Sequence, residues 1–483
     1  MSETIVTRFA PSPTGFMHIG NLRTALYSYL LAKSQGGKFI LRIEDTDQVR
    51  HVEGAEDVIL QTLKMTGIEW DEGPVVGGEH APYVQSERLS IYKEYAEKLV
   101  KSGHAYYCFC TPERLESLKN DIGIGGYDGH CRNLTAEEIE QNLAEGKPYV
   151  IRQRMPDEGT TSYVDEVYGE VSIENSELRD QIMIKADGYP TYNFCHVVDD
   201  YLMGVTHVVR GNEYLTSTPK YCLLYDAFGW ERPHYVHLPL LMGKDADGNV
   251  SKLSKRHGAV SFQDLVNDGY LPEAIVNYIA LLGWASKDTQ EFYTMDELKQ
   301  SFSIDGLSKS PAVFDYEKLK WFNSEYIKKL PDDKYNQKAL PILKEICPDY
   351  VNIEKLAVLL HTRIDTFSEI AEKADFVINR LAMASDLYTN KKNKTNPENC
   401  LETLKEVLPL LESAENWDND SLFALLKQYS ADSGKKAGAV MWAVRIAIAR
   451  KGITPGGATE LMEVFGKEES ISRMKLAIDE LTA

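Results

Sequence analysis

The stretch Thr4–Asp47, TIVTRFAPSPTGFMHIGNLRTALYSYLLAKSQGGKFILRIEDTD, decides the fold. Residues 4–9 are mostly β-branched or aromatic and predict a strand, and the Pro- and Gly-containing segment that follows must turn. Apolar residues then recur at helical spacing over residues 21–33, and two glycines end the run before a second strand at 38–43. This order predicts a parallel α/β unit in which His18 stands where the loop meets the helix.

The start of this helix is a predicted phosphate site. A helix N-terminus offers unpaired N–H groups and a partial positive charge. Arg8 and Glu44 fall at the carboxyl ends of the two strands, where open parallel sheets bind their ligands. A His-x-Gly-x loop also occurs in ordinary surface turns. Two features favour a functional role for this motif. One is the strand–helix–strand unit around it, and the other is a second candidate triphosphate contact, the run Lys252–Arg256 (KLSKR).

Four stretches carry a resemblance to a known family. They are Arg8–Gly15 (RFAPSPTG), His18–Gly20 (HIG), Leu41–Asp47 (LRIEDTD) and Lys252–Gly258 (KLSKRHG). Together they resemble the bacterial type of glutamyl-tRNA synthetase, a class I aminoacyl-tRNA synthetase, and the resemblance covers essentially the whole chain. Asn21 and Arg256 depart from the class consensus, at positions that vary within the family.

The resemblance implies a ligase that works in two steps. The carboxylate of L-glutamate attacks the α-phosphate of ATP, and the glutamyl group then passes from the adenylate to the 2′-hydroxyl of the terminal adenosine of tRNA(Glu). ATP would be used with Mg²⁺, and the implied catalytic residues are His18, Lys252 and Lys255. The implied ATP-binding residues are His18, Gly20, Glu213, Tyr214, Lys252, Ser254 and Lys255.

A glutamate pocket needs planar, bidentate donors for carboxylates and an acidic group for the ammonium. The resemblance assigns the carboxylates to Arg8 and Arg210 and the ammonium to Glu44. The implied glutamate-binding residues are Arg8, Ala10, Ser12, Glu44, Tyr192, His196 and Arg210. The alternative for each arginine is a buried structural ion pair.

Three of the seven cysteines form a candidate metal site. Cys108 and Cys110 make a C-x-C pair, and Cys131 follows after a loop. Zinc usually takes four ligands, so Tyr127 or His130 would supply the fourth. Some members of the family bind zinc with the spacing seen from Tyr127 to Cys131; the alternative is a metal-free insertion with three buried thiols. The other cysteines are expected to be free thiols, as in a reducing compartment.

The patterns and the resemblance together divide the chain into five parts. They are the first half of a Rossmann-like catalytic domain (1–105), an inserted α+β acceptor-end domain (106–187), the second half of the catalytic domain (188–260), a helical stem-contact domain (261–330) and an all-α anticodon-binding region (331–483). Contacts to individual anticodon bases cannot be chosen from one sequence. The choice between tRNA(Glu) alone and tRNA(Glu) with tRNA(Gln) therefore stays open.

Composition and charge limit the location and the partners that the protein can have. No apolar run is long enough to cross a membrane and no N-terminal leader is visible, which predicts a cytoplasmic protein. No oligomer interface is evident, so a monomer is the default. The net charge of -20 by itself argues against nucleic acid, because phosphate contacts need Lys and Arg. Local basic tracks on an acidic surface would reconcile the two, since the remaining surface would repel nucleic acid.

Three other functions share parts of this pattern. A small-molecule nucleotidyltransferase would have no use for the insertion and the helical tail. A truncated glutamyl-queuosine relative lacks an anticodon-binding half. A non-catalytic RNA-binding protein on this scaffold would be expected to have lost His18, Lys255 or the two arginines, and all are present.

Overall fold

The computed structural model describes residues 4–50, 52–122, 127–245, 247–254, 257–258, 261–382 and 384–483, the side chains of 119–122 excepted. The chain forms two compact units. The first comprises Met1–Leu265 with Ile275–Asp315, and the second Val266–Ala274 with Tyr316–Ala483. The five-part division predicted above is finer than these units and stays a prediction.

The predicted strand–helix–strand unit begins the first unit. It consists of β1 (Val6–Phe9), α1 (Ile19–Ser34) and β2 (Lys38–Leu41). The two strands pair in parallel with Arg8 opposite Ile40, as a crossover helix requires. Most of α1 is buried, which explains its nearly continuous apolar sequence.

A second parallel pair carries the other predicted arginine. The strands are β8 (His207–Gly211) and β9 (His234–Leu238), and Arg210 stands opposite His237. The backbone N–H of Thr206 donates to the carbonyl of Val6 at 2.9 Å, which ties the start of β8 to β1. Arg8 is thereby brought close to Arg210, because its Nη1 donates to the carbonyl of the preceding Val209 at 3.3 Å, although 201 positions separate this pair in sequence.

The other elements of the first unit complete the α/β class that the sequence predicts. The remaining strands are β3 (Ala105–Cys108), β4 (Val150–Gln153), β5 (Thr160–Asp165), β6 (Gly169–Glu174), β7 (Ile182–Ile184), β10 (Leu241–Lys244), β11 (Val250–Lys252) and β12 (Ala312–Phe314). The remaining helices are α2 (Ala55–Met65), α3 (Leu89–Lys101), α4 (Pro112–Ile122), α5 (Ala136–Ala144), α6 (Tyr192–Leu202), α7 (Thr218–Phe228), α8 (Phe262–Asn267), α9 (Pro272–Ala280) and α10 (Met295–Ser301). The last residues of α8 and the first of α9 belong to the second unit.

These strands form three further sheets with the orders β6-β5-β9-β8, β3-β4-β7 and β11-β10-β12. In the first of them, β5 pairs in parallel with β9 through Asp165 and Tyr235. A strand from the segment assigned to the insertion therefore shares a sheet with the strand beside Arg210.

The regular elements described in the second unit are all helices, as predicted for the C-terminal region. Its helices are α11 (Tyr316–Lys328), α12 (Asp332–Ile346), α13 (Ile353–His361), α14 (Ile370–Lys373), α15 (Asp375–Ile378), α16 (Pro397–Glu412), α17 (Asn419–Ser433), α18 (Ala437–Ala449) and α19 (Ala458–Thr482). The apolar α18 lies in the core, where Val440 and Val444 are fully buried. Gly466, at φ 75°, breaks α19 into two segments.

Within the described part of the chain, no helix combines the length and the apolar character needed to span a membrane.

Candidate active site

A cavity of about 970 Å³ lies beside the N-terminus of α1 and the carboxyl end of β1. Most of the residues predicted to bind ATP or glutamate line it together. They are Arg8, Ala10, Ser12, His18, Gly20, Glu44, Tyr192, Arg210, Glu213, Tyr214 and Lys252. His196 is buried behind this wall, Ser254 is not part of the lining, and Lys255 and Arg256 fall outside the described residues.

His18 caps the helix that borders the cavity. Its Nδ1 accepts a hydrogen bond from the backbone N–H of Gly20 at 3.0 Å. Burial, and then the charge of Lys252, lowers the pKa of His18, so the ring is neutral near pH 7. A neutral ring that accepts at Nδ1 carries its proton on Nε2. His18 therefore adds a hydrogen-bond donor to the partial positive charge of the helix N-terminus.

Buried ionic groups hold Arg8 and Glu44 at the cavity wall. Nε of Arg8 lies 3.0 Å from Oδ1 of Asp200, and Nη1 of Arg42 contacts the same oxygen at 2.8 Å. Arg42 reaches Glu44 with Nη2 at 3.0 Å. Arg8 thus lines the cavity and also forms the buried ion pair that was its alternative role, whereas the sequence interpretation missed Arg42 and Asp200.

Asp199 accepts the remaining hydrogen bonds of this network. Arg88 donates to one of its oxygens at 2.7 Å, and Gln85 and Tyr92 donate to the other at 2.9 and 2.8 Å. Because the side chain of Asp199 is completely buried, these hydrogen bonds replace the bonds to water that an exposed carboxylate would make. The signal that could have revealed it is the acidic pair in the apolar run NFCHVVDD of α6.

Glu44 is a carboxylate of the cavity wall whose pKa is shifted to near neutral pH. Burial, against the opposing charge of Arg42, raises the pKa of Glu44 to about 7. Its Oε1 also lies 3.4 Å from Nε2 of Gln85. A cationic ligand group placed beside Glu44 would favour the ionised carboxylate.

Arg210 differs from Arg8 because no carboxylate among the described residues pairs with it. Its Nη1 lies 3.3 Å from Nε2 of His196, and its Nη2 donates to the hydroxyl of Thr218 at 2.7 Å. The rings of Tyr214 and Tyr221 lie 5.1 and 4.8 Å from the guanidinium carbon. A buried cation that faces a cavity without a contact counter-ion is suited to an anionic ligand.

Aromatic side chains complete the wall beside Arg210. The ring of Tyr192 lies 4.8 Å from His196 and 5.4 Å from Tyr214. Glu213 folds back over Gly211, where a Cβ atom would overlap the carboxylate. Gly211 thus permits the compact turn after β8 that brings Glu213 and Tyr214 to the cavity.

Lys252 reaches the cavity from β11, where it stands opposite Met242 of β10. Two residues further on, Ser254 is held by His257, whose Nδ1 accepts from the backbone N–H of Ser254 at 3.1 Å and whose ring packs on Gly243. The sequence interpretation did not single out His257. Its signal in the sequence would have been a histidine directly after the basic run KLSKR.

The three predicted cysteine ligands lie together in the first unit. Their sulfur atoms are all within 4.8 Å of one another, and those of Cys110 and Cys131 are 3.6 Å apart. The Tyr127 hydroxyl lies 3.5 Å from Sγ of Cys108. The hydrogen bond with Cys131 lowers the pKa of Cys108 to about 4. His130 is exposed and does not belong to this cluster, so Tyr127 is the better placed of the two candidate fourth ligands.

Comparisons with known proteins agree along the whole chain. Residues 4–321 match the family model "tRNA synthetases class I (E and Q), catalytic domain", and residues 317–478 match "Anticodon binding domain". The chain is 54% identical to a glutamate–tRNA ligase of Clostridium novyi over 99% of both chains, and 53% identical to that of Clostridium tetani over 99% of this chain and 98% of the relative. A glutamate tRNA ligase of Elizabethkingia meningosepticum, solved with its amino acid, has a TM-score of 0.89 at 34% identity and covers 99% of this chain and 100% of its own.

Proposed function

The chain belongs to the glutamate–tRNA ligases, which are class I aminoacyl-tRNA synthetases, and from this we propose that one cavity binds glutamate and ATP side by side. The observation that carries the proposal is the pairing of two anion-seeking features in one cavity. Arg210 is a buried cation that pairs with no carboxylate in the described part of the chain, and the N-terminus of α1 with His18 is suited to phosphate.

In this proposal glutamate is fixed by its three charges. Arg210 takes the side-chain carboxylate, because its own partners are neutral and its charge is available. Glu44 takes the α-ammonium. Arg8, already paired with Asp200, borders the α-carboxylate that must attack ATP. Tyr192 with Ala10 and Ser12 completes the pocket by shape, and His196 supports Tyr192 from behind.

ATP lies with its phosphates at the start of α1. His18 donates from Nε2 to a phosphate oxygen, and Lys252 approaches the triphosphate from β11. Lys255 is assigned to the β- and γ-phosphates from the sequence alone. Gly20 permits close approach of the triphosphate, and Glu213 and Tyr214 border the adenosine. Mg²⁺, which enters with ATP, would neutralise part of the phosphate charge that His18 and Lys252 face.

The protein does little covalent chemistry in this scheme. It brings the α-carboxylate of glutamate and the α-phosphate of ATP together and stabilises the charge that develops on pyrophosphate. A contact that exists only in the transition state contributes roughly 10²- to 10³-fold in rate.

We further propose that Cys108, Cys110, Cys131 and Tyr127 hold a structural Zn²⁺. Tetrahedral zinc with sulfur ligands at about 2.3 Å requires sulfur atoms about 3.8 Å apart, and the 3.6 Å between Cys110 and Cys131 fits this. The ion would tie the C-x-C turn after β3 to the loop at Tyr127.

The proposed RNA partner is tRNA(Glu), with tRNA(Gln) as a possible second substrate, and the chain is taken to act as a cytoplasmic monomer. The test is glutamate charging of purified tRNA(Glu) and tRNA(Gln), side by side, with ATP and Mg²⁺. Charging of the first alone defines a discriminating ligase, and charging of both defines a non-discriminating one. Charging of neither would overturn the proposal in favour of a non-catalytic RNA-binding protein.

A further inference from the structure

Behind Arg210 lie two residues that the proposed function does not use. Nε of Arg210 donates to Nε2 of His237 at 3.1 Å, and Nδ1 of His237 lies 2.6 Å from Oδ2 of Asp165. The side chains of His237 and Asp165 are both 0% exposed. The guanidinium, the imidazole and the carboxylate therefore form a line that leads from the cavity wall into the interior.

Three neighbouring strands each contribute one member of this line. Arg210 and His237 are direct partners in the pairing of β8 with β9. Asp165 is the last residue of β5, which pairs with β9 through Tyr235. Because the positions are set by strand register, the line is a rigid feature of the sheet.

The hydrogen positions in this line follow from the donors. An arginine N–H can only donate, so Nε2 of His237 must accept, and a neutral His237 then carries its proton on Nδ1. That proton faces Asp165. Burial lowers the pKa of His237, which agrees with a neutral ring. The Thr218 hydroxyl accepts from Arg210 and gives its own hydrogen to the carbonyl of Tyr214 at 2.8 Å.

The consequence for Arg210 is that it is oriented without being neutralised. Asp200 contacts Arg8 directly, whereas the carboxylate behind Arg210 is separated from it by an uncharged ring. A direct carboxylate would compete with a carboxylate ligand for the same guanidinium. A neutral acceptor holds the guanidinium plane in place and leaves its charge to the ligand.

We propose that Asp165 and His237 are positioning residues that fix the orientation of Arg210 and thereby the affinity of the cavity for the side-chain carboxylate of glutamate. The inference rests on the proposed role of Arg210. It assigns to Asp165 the task of selecting the His237 tautomer that accepts from Arg210.

The substitution Asp165→Asn tests whether Asp165 selects the tautomer of His237. Oδ1 of Asp165 accepts from two backbone N–H groups, those of Val167 and Tyr168 at 3.0 and 2.8 Å, whereas Oδ2 accepts from one, that of His237 at 3.2 Å. The two bonds to Oδ1 outweigh the single one and would keep the asparagine oxygen on that side. The amide NH₂ would then face His237 and force its Nδ1 to accept. The proton would move to Nε2, where it would oppose the N–H of Arg210.

The experiment measures KM for glutamate, KM for ATP and kcat of the full chain by ATP–pyrophosphate exchange with tRNA(Glu) present. For D165N we expect KM for glutamate to rise about tenfold to hundredfold, the effect of losing one charge-assisted hydrogen bond, with KM for ATP within about twofold. The double variant D165N/H237Q should recover most of this loss, because the glutamine oxygen can accept from Arg210 without a tautomer choice. E166Q is the matched control: Glu166 contacts His234 at 2.9 Å in an exposed pair, and its KM for glutamate should not change.

Arg210→Gln, measured in parallel, distinguishes a failure of the positioning role from a failure of the proposed function. If it raises KM for glutamate while D165N does not, the positioning role is wrong and the proposed function stands. If R210Q itself leaves KM for glutamate unchanged, both are wrong. A D165N defect that affects glutamate and ATP equally, or that deepens in the double variant, would show a structural role and overturn the inference.

Discussion

The pH dependence of glutamate binding follows from the environment of Glu44. Its pKa is raised from 4.5 to about 7, so the carboxyl group is neutral below pH 7 and ionised above it. The ammonium of glutamate requires the ionised form, and affinity is therefore lost as the pH falls through 7. About half of Glu44 is ionised at pH 7 and about one eleventh at pH 6, so KM for glutamate should rise about fivefold over this interval and about tenfold for each further unit.

The assay is steady-state glutamate charging at saturating ATP and tRNA(Glu), between pH 6 and pH 8. Isothermal titration calorimetry in buffers of different ionisation enthalpy gives an independent measure, because binding at pH 7 should release about half a proton. Glu44→Gln should raise KM and abolish its pH dependence. Glu213→Gln removes another carboxylate from the cavity lining and should leave the pH dependence in place. A KM for glutamate that is flat from pH 6 to pH 8 in the unsubstituted protein would refute the assignment of Glu44 to the ammonium.

Three further predictions concern the phosphates, the metal and the fold. Lys255→Ala should slow adenylate formation roughly 10²- to 10³-fold with glutamate binding near normal, and unchanged single-turnover rates would remove Lys255 from the mechanism. Tyr127→Phe should lower the zinc content of the purified protein measured by plasma mass spectrometry, whereas His130→Ala should keep it; the reverse result would make His130 the ligand. Glu72 is buried, and against burial its hydrogen bonds from His80, Tyr83 and Lys38 lower its pKa to about 2. Its ionised form thus stabilises the fold above about pH 4.5, and this contribution is lost as the pH falls towards 2. Glu72→Gln should lower the melting temperature at pH 7 and have little effect near pH 2; equal losses at both pH values would contradict this.

The parts of the fold that depend on local pattern could be predicted. The strand–helix–strand order around His18 follows from β-branched residues, turn residues and helical spacing that lie next to one another in sequence. The helical second unit follows from the same kind of local periodicity. The membership of β5 in the sheet of β8 and β9 did not follow, because pairing between distant strands leaves little trace in one sequence.

For the site, the chain itself determined which residue types are present and which of them stand at strand ends or at a helix start. Sequence order together with the family resemblance therefore sufficed to nominate Arg8, His18 and Arg210. Only the tertiary structure decided how each is used: Arg8 is paired with Asp200, whereas Arg210 is held by neutral partners. The physical reason is that charge state, tautomer and burial depend on atoms brought together from positions as far apart as 8 and 200, and those distances are set by strand register and packing, which act on the folded chain as a whole.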